Sequence, residues 1–389
     1  MKIEPRYHQT DFFKNFWQKG TGKYMIDWAG AELSFEKFDQ FSKLFYEVDE
    51  IGDSAAKEIF FAMPFAEAMK KIDDYSRHKI SADENITANL KSMLLQMQQV
   101  PEWLDKKMLA AASELSRRSG LSALIVLRDF TLMGGYDYAF LNKPLIFTGA
   151  LKKGAVKRLR DTLNFWITVT RKDAMNVHAD GYRFCVSTRL IHSFSRLMIL
   201  GKVKEWDTEK WGLPINSWDM MATYIGFSLT FLLGLKKLGM KISKYEEDSL
   251  FHLWKYIGYL IGIPVNYIPN NAKEATEQFY LWSSIQPAAD EDSVLLAKAL
   301  LDENLISPVY DNVSQRKRLK YLHTCCIRHL LDADVNERLQ IPKVLAARLF
   351  PSFLIVRNKI FYALKSKQYQ IVKGDDAQRE VLKRYLEKA

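Results

Sequence analysis

Apolar residues recur along almost the whole chain at three- and four-residue spacing, while the two-residue alternation of a half-buried strand is nearly absent. That pattern restricts the chain to an all-α architecture. Ser34-Phe35-Glu36-Lys37 carries a capping signature and is followed by Phe38, Phe41, Leu44, Phe45 and Val48, one apolar helical face. Ser243-Lys244-Tyr245-Glu246 is a second capping box and predicts a helix running to Gly262, where Ile263-Pro264 ends it. The spacing further predicts helices over 55–69 with a break at Pro64, 85–98, 106–118, 121–132, 155–171, 183–200 and 273–283. Pro101 suits a helix start, and Ser217-Trp218-Asp219 a cap on an apolar helix ending near Gly239. No repeat of solenoid length is visible.

With 389 residues, 48% hydrophobic and 26% charged, the chain has ordinary globular composition. Three stretches are expected to pack as one unit: an N-terminal helical region (1–105), a core (106–290) and a C-terminal extension (291–389). Aromatic residues reach 13%, which favours wide interhelical spaces or a pocket for a flat apolar ligand. Met220 to Leu235 is the most apolar segment, but it is shorter than a bilayer needs and holds Thr223, Ser228 and Thr230. It reads as a core helix rather than a membrane span.

The net charge of +10 is spread among nearly as many acids as bases. Its densest clusters, Lys152-Lys153 to Arg160 and Arg316 to Lys320, read as solvated faces and not as a nucleic-acid surface. Cys185, Cys325 and Cys326 do not make a disulfide framework. Met1 to Arg6 lacks the apolar stretch of a signal peptide. A cytoplasmic protein is the expectation.

Common catalytic signatures are missing. There is no Cys-x-x-Cys-His, His-Glu-x-x-His, Walker loop or Gly-x-Ser-x-Gly elbow. His323 and His329 flank Cys325-Cys326, but their spacing does not converge four metal ligands. His252 could face a pocket, although a core role suits it better.

One helix carries a more telling arrangement. Arg189, His192 and Arg196 stand at i, i+3 and i+7 and share a face. Burying two guanidinium groups requires anions. A haem would supply them as propionates and would take the imidazole on its iron. Alternatively, His192 is a hydrogen-bonded core residue and both arginines reach solvent. On the preceding helix Arg158, Asp161, Thr162 and Phe165 lie on one face, where they could line a cofactor or form a local ion pair.

Arg158-x-x-Asp161-Thr162, followed by His192 in Thr-Arg-x-x-His-x-x-x-Arg, resembles the rubber-oxygenase (latex-clearing protein) and MpaB-type oxygenase superfamily. So do Trp211 to Pro214 and the Trp254-x-x-x-Gly258-x-x-x-Gly262-Ile263-Pro264 stretch. The resemblance covers about residues 120–290. It implies an enlarged globin-like helical core with a non-covalent haem b, His192 as the proximal iron ligand, and a distal side lined by the helix of Arg158 and Thr162. It also implies oxygenation of a small apolar organic substrate by dioxygen or peroxide. Phe165 would wall the pocket, and Asp161 would relay a proton or orient Arg158. Two positions depart from the family. Latex-clearing proteins have a lysine where this chain has Asp161, and their glutamate falls, by ungapped count, on Asn142. Rubber cleavage itself is therefore not expected. Two other readings remain: a haem-binding protein that is not an oxygenase, and a helical interaction protein without haem.

Overall fold

Capping side chains set the helix ends. Ser243 Oγ accepts from Glu246 N while the Glu246 carboxylate accepts from Ser243 N, and the helix Lys244–Leu260 follows. Asp105 caps Lys106–Arg118, Asn216 caps Ser217–Ile225, and Asn271 caps Ala272–Ser283. A computed structural model describes residues 3–80, 86–149, 151 and 154–388. Among them there is no strand, only an isolated bridge between Tyr138 and Ala288. The expected all-α class holds. Buried apolar residues form one connected cluster that draws on the chain from Ile3 to Tyr385.

Two helices position the site. Ala155–Val169 packs on Asp180–Lys202, which also packs on Glu50–Phe60. A third helical run, Ser217–Lys237, is 21 residues long, and 78% of its most apolar window is buried in protein. It passes a membrane-span test by length and composition, yet it lies in the core, as the sequence suggested. It ends close to the expected Gly239, and a π-helical segment, Gly226–Thr230, lies within it. A second π segment, Val126–Leu132, continues the helix Gly120–Ile125. The two segments meet, with Thr131 Oγ1 donating to Gly226 O at 3.4 Å. Such wide turns displace side chains from the regular helical face and concentrate at functional sites.

Several expectations need correction. Ser34 does not open a helix; its Oγ accepts from Glu36 N in a tight turn, and the helix there is Phe38–Ser42. Pro101 begins a turn closed by Leu104 N rather than a helix. The cap before Trp218 is Asn216, with Ser217 already inside the helix. The Lys152-Lys153 cluster, the first residue of the expected 85–98 helix, and Met1-Lys2 lie outside the described residues.

Candidate active site

Helical register brings Arg158 and Thr162, one turn apart, to the same wall. His192 and Ser195 face them from the helix Asp180–Lys202. Together they line a cavity of about 470 Å³, a volume typical of small-molecule sites. Leu141, Leu145, Met220 and Phe227 make the wall mainly apolar, and residues of both π segments contribute to it. Trp254 stacks on the outer face of Phe227, with ring centroids 4.6 Å apart.

Most polar groups in this wall already have partners. Asn142 donates to Tyr136 O and Ser293 Oγ, Asp332 accepts from Thr21, and Asp137 binds Arg338 through both oxygens. His192 and Arg158 are different. Among the described residues, His192 Nδ1 and Arg158 Nη1 are buried without a hydrogen-bond partner. The Arg158 guanidinium stands 5.0 Å from the centroid of the Tyr136 ring, a cation–π contact that leaves its N–H groups free. The His192 ring is enclosed by protein but keeps some open surface toward the cavity. Burial pushes its pKa down to about 4, with Arg196 adding to the shift and Asp49 opposing it. The imidazole is therefore neutral at pH 7, the state a metal requires.

The two arginines beside His192 do not reach the cavity. Arg189 Nε and Nη2 donate to Asp49 at 2.6 and 2.8 Å. Arg196 Nη1 pairs with Asp53, and its Nε and Nη2 donate to Pro214 O (3.0 Å) and Ile215 O (2.9 Å). The anions that burial demands are thus carboxylates from the start of Glu50–Phe60, not propionates. This corrects the expectation that Arg189 and Arg196 bind a cofactor. Burial raises the Asp53 pKa and lowers that of Arg196, each opposed by the attraction of its partner, so this pair forms against a real desolvation cost.

Two unusual backbone positions gain a physical reason here. Gly262 has φ +90°, and a Cβ there would lie 2.5 Å from Asp49 Oδ2, so only glycine admits the Arg189–Asp49 pair beneath the end of its helix. Ile215, a β-branched residue at φ +53°, is held in that sparsely populated region by Arg196.

Asp161 and Phe165 also depart from expectation. Asp161 is exposed and pairs with Lys157 Nζ (2.5 Å) and Arg160 Nη2 (2.9 Å). It sits on the solvent flank of the helix, so it neither relays a proton nor orients Arg158. Replacing Asp161 with Ala is expected to change stability by no more than about 0.5 kcal/mol, because the ion pairs are exposed. It should leave any ligand spectrum untouched; a shifted spectrum would contradict this placement. Phe165 packs on Phe184 and Trp254, behind the lining rather than in it. His252 Nε2 accepts from Asp105 N, and His323 Nδ1 lies 2.6 Å from Asp129 Oδ2. Both belong to structural contacts. Among the described residues no group of three or more His, Cys, Asp or Glu could hold a metal ion.

One wall residue escaped sequence reasoning. Asp219 was read as part of a cap, yet it lines the cavity. Its oxygens accept from Trp282 Nε1 (2.9 Å) and Asn216 Nδ2 (2.8 Å). Burial pushes its pKa up to about 6, against the lowering effect of those two hydrogen bonds. Among the described residues it forms no ion pair. Only the fold, which buries it and brings Trp282 to one of its oxygens while the local cap Asn216 holds the other, separates this aspartate from an ordinary first-turn acid.

Known proteins resemble this chain in sequence and in fold. A rubber oxygenase from Streptomyces sp. (strain K30) is 20% identical over 220 residues, covering 56% of this chain and 53% of that protein. The chain therefore matches about half the length of this curated relative. The solved closed state of a latex clearing protein, LCP, superposes with a TM-score of 0.69 at 15% identity, over 87% of this chain and 91% of that one. That likeness extends the shared fold beyond the core that the sequence motifs marked. The catalytic-domain model of the ER-bound oxygenases mpaB/B′ and the rubber oxygenases matches residues 123–357. With more than half of its length in that match, the chain belongs to the mpaB/rubber oxygenase catalytic-domain family.

Proposed function

We propose that this protein is a haem b-dependent oxygenase acting on a small apolar organic substrate. The observation that carries the reading is the convergence of Arg158, Thr162 and His192 on one mainly apolar cavity, with His192 Nδ1 and Arg158 Nη1 lacking hydrogen-bond partners among the described residues. The residues fit the group. His192 offers a neutral, unengaged imidazole for the iron, and Arg158 offers a free guanidinium nitrogen for an anionic oxygen. Bound there, the haem would supply the redox chemistry that activates dioxygen or peroxide.

The protein's own groups do the rest. Arg158 places fixed positive charge against the cavity, in a low-dielectric setting where it needs no reorganisation. Thr162 and Ser195 add hydroxyls to the cavity wall. Asp219, with a pKa near 6, holds or releases a proton at its carboxylate close to neutral pH. Leu141, Leu145, Met220 and Phe227 exclude water and orient an apolar chain.

Titrating the purified apoprotein with haem tests the cofactor, and dioxygen consumption with an apolar alkene tests the reaction. The expected result is a saturable Soret band and alkene-dependent uptake. Protein that stays colourless through the titration removes the proposal. A Soret band without uptake, over a broad set of alkenes, would transfer it to a haem protein that is not an oxygenase.

A further inference from the structure

The C-terminal region presents a surface that the cavity does not use. In the 16-residue helix Leu349–Leu364, the residues Leu349, Phe353, Val356, Ile360 and Leu364 are 53% to 75% exposed, and Leu345 just before them is 90% exposed. Their spacing of four, three, four and four confines the helical five to an arc of about 80° at 100° per residue. The opposite face is anchored. Pro351, Leu354 and Asn358 are buried, and Asn358 Nδ2 donates to Ser122 Oγ and Leu238 O. The helix is thus held with its apolar stripe outward.

Charge frames this stripe. Between Leu339 and Gly374 the chain has Lys343, Arg348, Arg357, Lys359, Lys365, Lys367 and Lys373, and no Asp or Glu. By helical register Arg357 flanks one side of the stripe, and Arg348 and Lys359 the other. None of these three forms an ion pair among the described residues; Lys367, further on, does so with Glu114. The basic cluster noted in the sequence, Arg316 to Lys320, opens the adjoining helix, Val313–Leu330. There Tyr321 Oη donates to Leu345 O at 2.7 Å. Arg316 and Lys320 are engaged with Tyr310 O and Asp302, which leaves Lys317 and Arg318 to the surface.

An exposed apolar stripe bordered by unpaired cations is what an interfacial helix needs to lie in the headgroup plane of a bilayer. A second copy of this chain is a poorer occupant. Two such faces meeting about a two-fold axis would set basic rim against basic rim. An anionic bilayer offers apolar depth beneath the stripe and negative charge on both flanks. We infer that Leu349–Leu364 docks this protein on the surface of an anionic membrane, with Phe353 and Ile360 buried at the acyl boundary. The helix is already folded and fixed, so docking orders no new segment.

Flotation of the full chain with vesicles of phosphatidylcholine, with and without phosphatidylserine, tests this. Wild-type protein is expected to float with phosphatidylserine vesicles, and less so at high salt. Phe353→Ser with Ile360→Ser should lower partitioning about tenfold or more. Arg357→Glu with Lys359→Glu should erase the preference for phosphatidylserine. All four side chains are exposed, so an unchanged melting temperature certifies the fold of each variant. Wild-type protein that stays with the unbound fraction overturns the inference, as does an apolar variant that floats like wild type. So does sedimentation showing a dimer that the Phe353/Ile360 pair disperses, which would assign the face to a second copy.

Discussion

His192→Ala is expected to abolish haem retention, leaving apoprotein whose far-ultraviolet circular dichroism matches wild type. The loss should be complete rather than partial, because among the described residues no second histidine lines the cavity. The fold should survive. His192 makes no hydrogen bond that would be lost, and its Nδ1 is already a buried orphan, so removing the ring spares one desolvation cost while enlarging an existing cavity. A net change within about 1 kcal/mol is expected for the apoprotein. Added imidazole should enter the vacated space and restore a Soret band. Direction with pH follows from the depressed pKa. A proton and the iron compete for one nitrogen, and a free histidine would lose that competition near pH 6.5. Here burial delays it, so wild-type haem retention should hold through pH 5 and weaken only as the pH nears about 4. A Soret band unchanged in His192→Ala removes the ligand assignment.

Arg189→Ala should be among the most destabilising single changes in the molecule, although Arg189 does not line the cavity. It strands the Asp49 carboxylate, whose side chain is 9% exposed and loses both charge-assisted bonds at once. Orphaning one member of a buried pair costs about 3–5 kcal/mol. The diagnostic is the compensated variant. Asp49 also caps Glu50–Phe60 by accepting from Gly52 N, so Asp49→Asn keeps the cap while removing the charge. Combined with Arg189→Met, it should recover at least about 2 kcal/mol of the loss in a urea titration. A cost below about 1 kcal/mol for Arg189→Ala, or no recovery in the double variant, would show that the pair does not hold these helices together.

Those two residues also show what was and was not legible in the sequence. The helices themselves were readable because local signals agree: Ser243 with Glu246, Pro64 between two helices, and apolar spacing over 155–169. Their ends were less so, since Ser34 and Pro101 carry capping chemistry that turns use equally well. At the site, Arg158 and Thr162 share a wall because they are one helical turn apart, and His192 lines the same cavity from the next helix. Arg189 and Arg196 were correctly read as needing anions, but the anions proved to be Asp49 and Asp53, about 140 residues away in sequence. No spacing rule reaches that far. Asp161 failed for a different reason. It lies about 60° round the helix from Arg158, and whether that angle faces a cavity or solvent depends on the neighbouring helix alone. Asp219 was invisible because its high pKa comes from tertiary burial.

The pairing of Arg189 with Asp49 and Arg196 with Asp53 bears on where this protein can be cut. The family match begins at residue 123, yet both counter-ions for its central helix come from before that point. A fragment trimmed to the matched stretch would carry two enclosed guanidinium groups with no carboxylate to neutralise them. The boundary of kinship and the boundary of autonomous folding are therefore different places in this chain. A fragment meant to keep these pairs has to begin before Asp49, well ahead of the matched stretch.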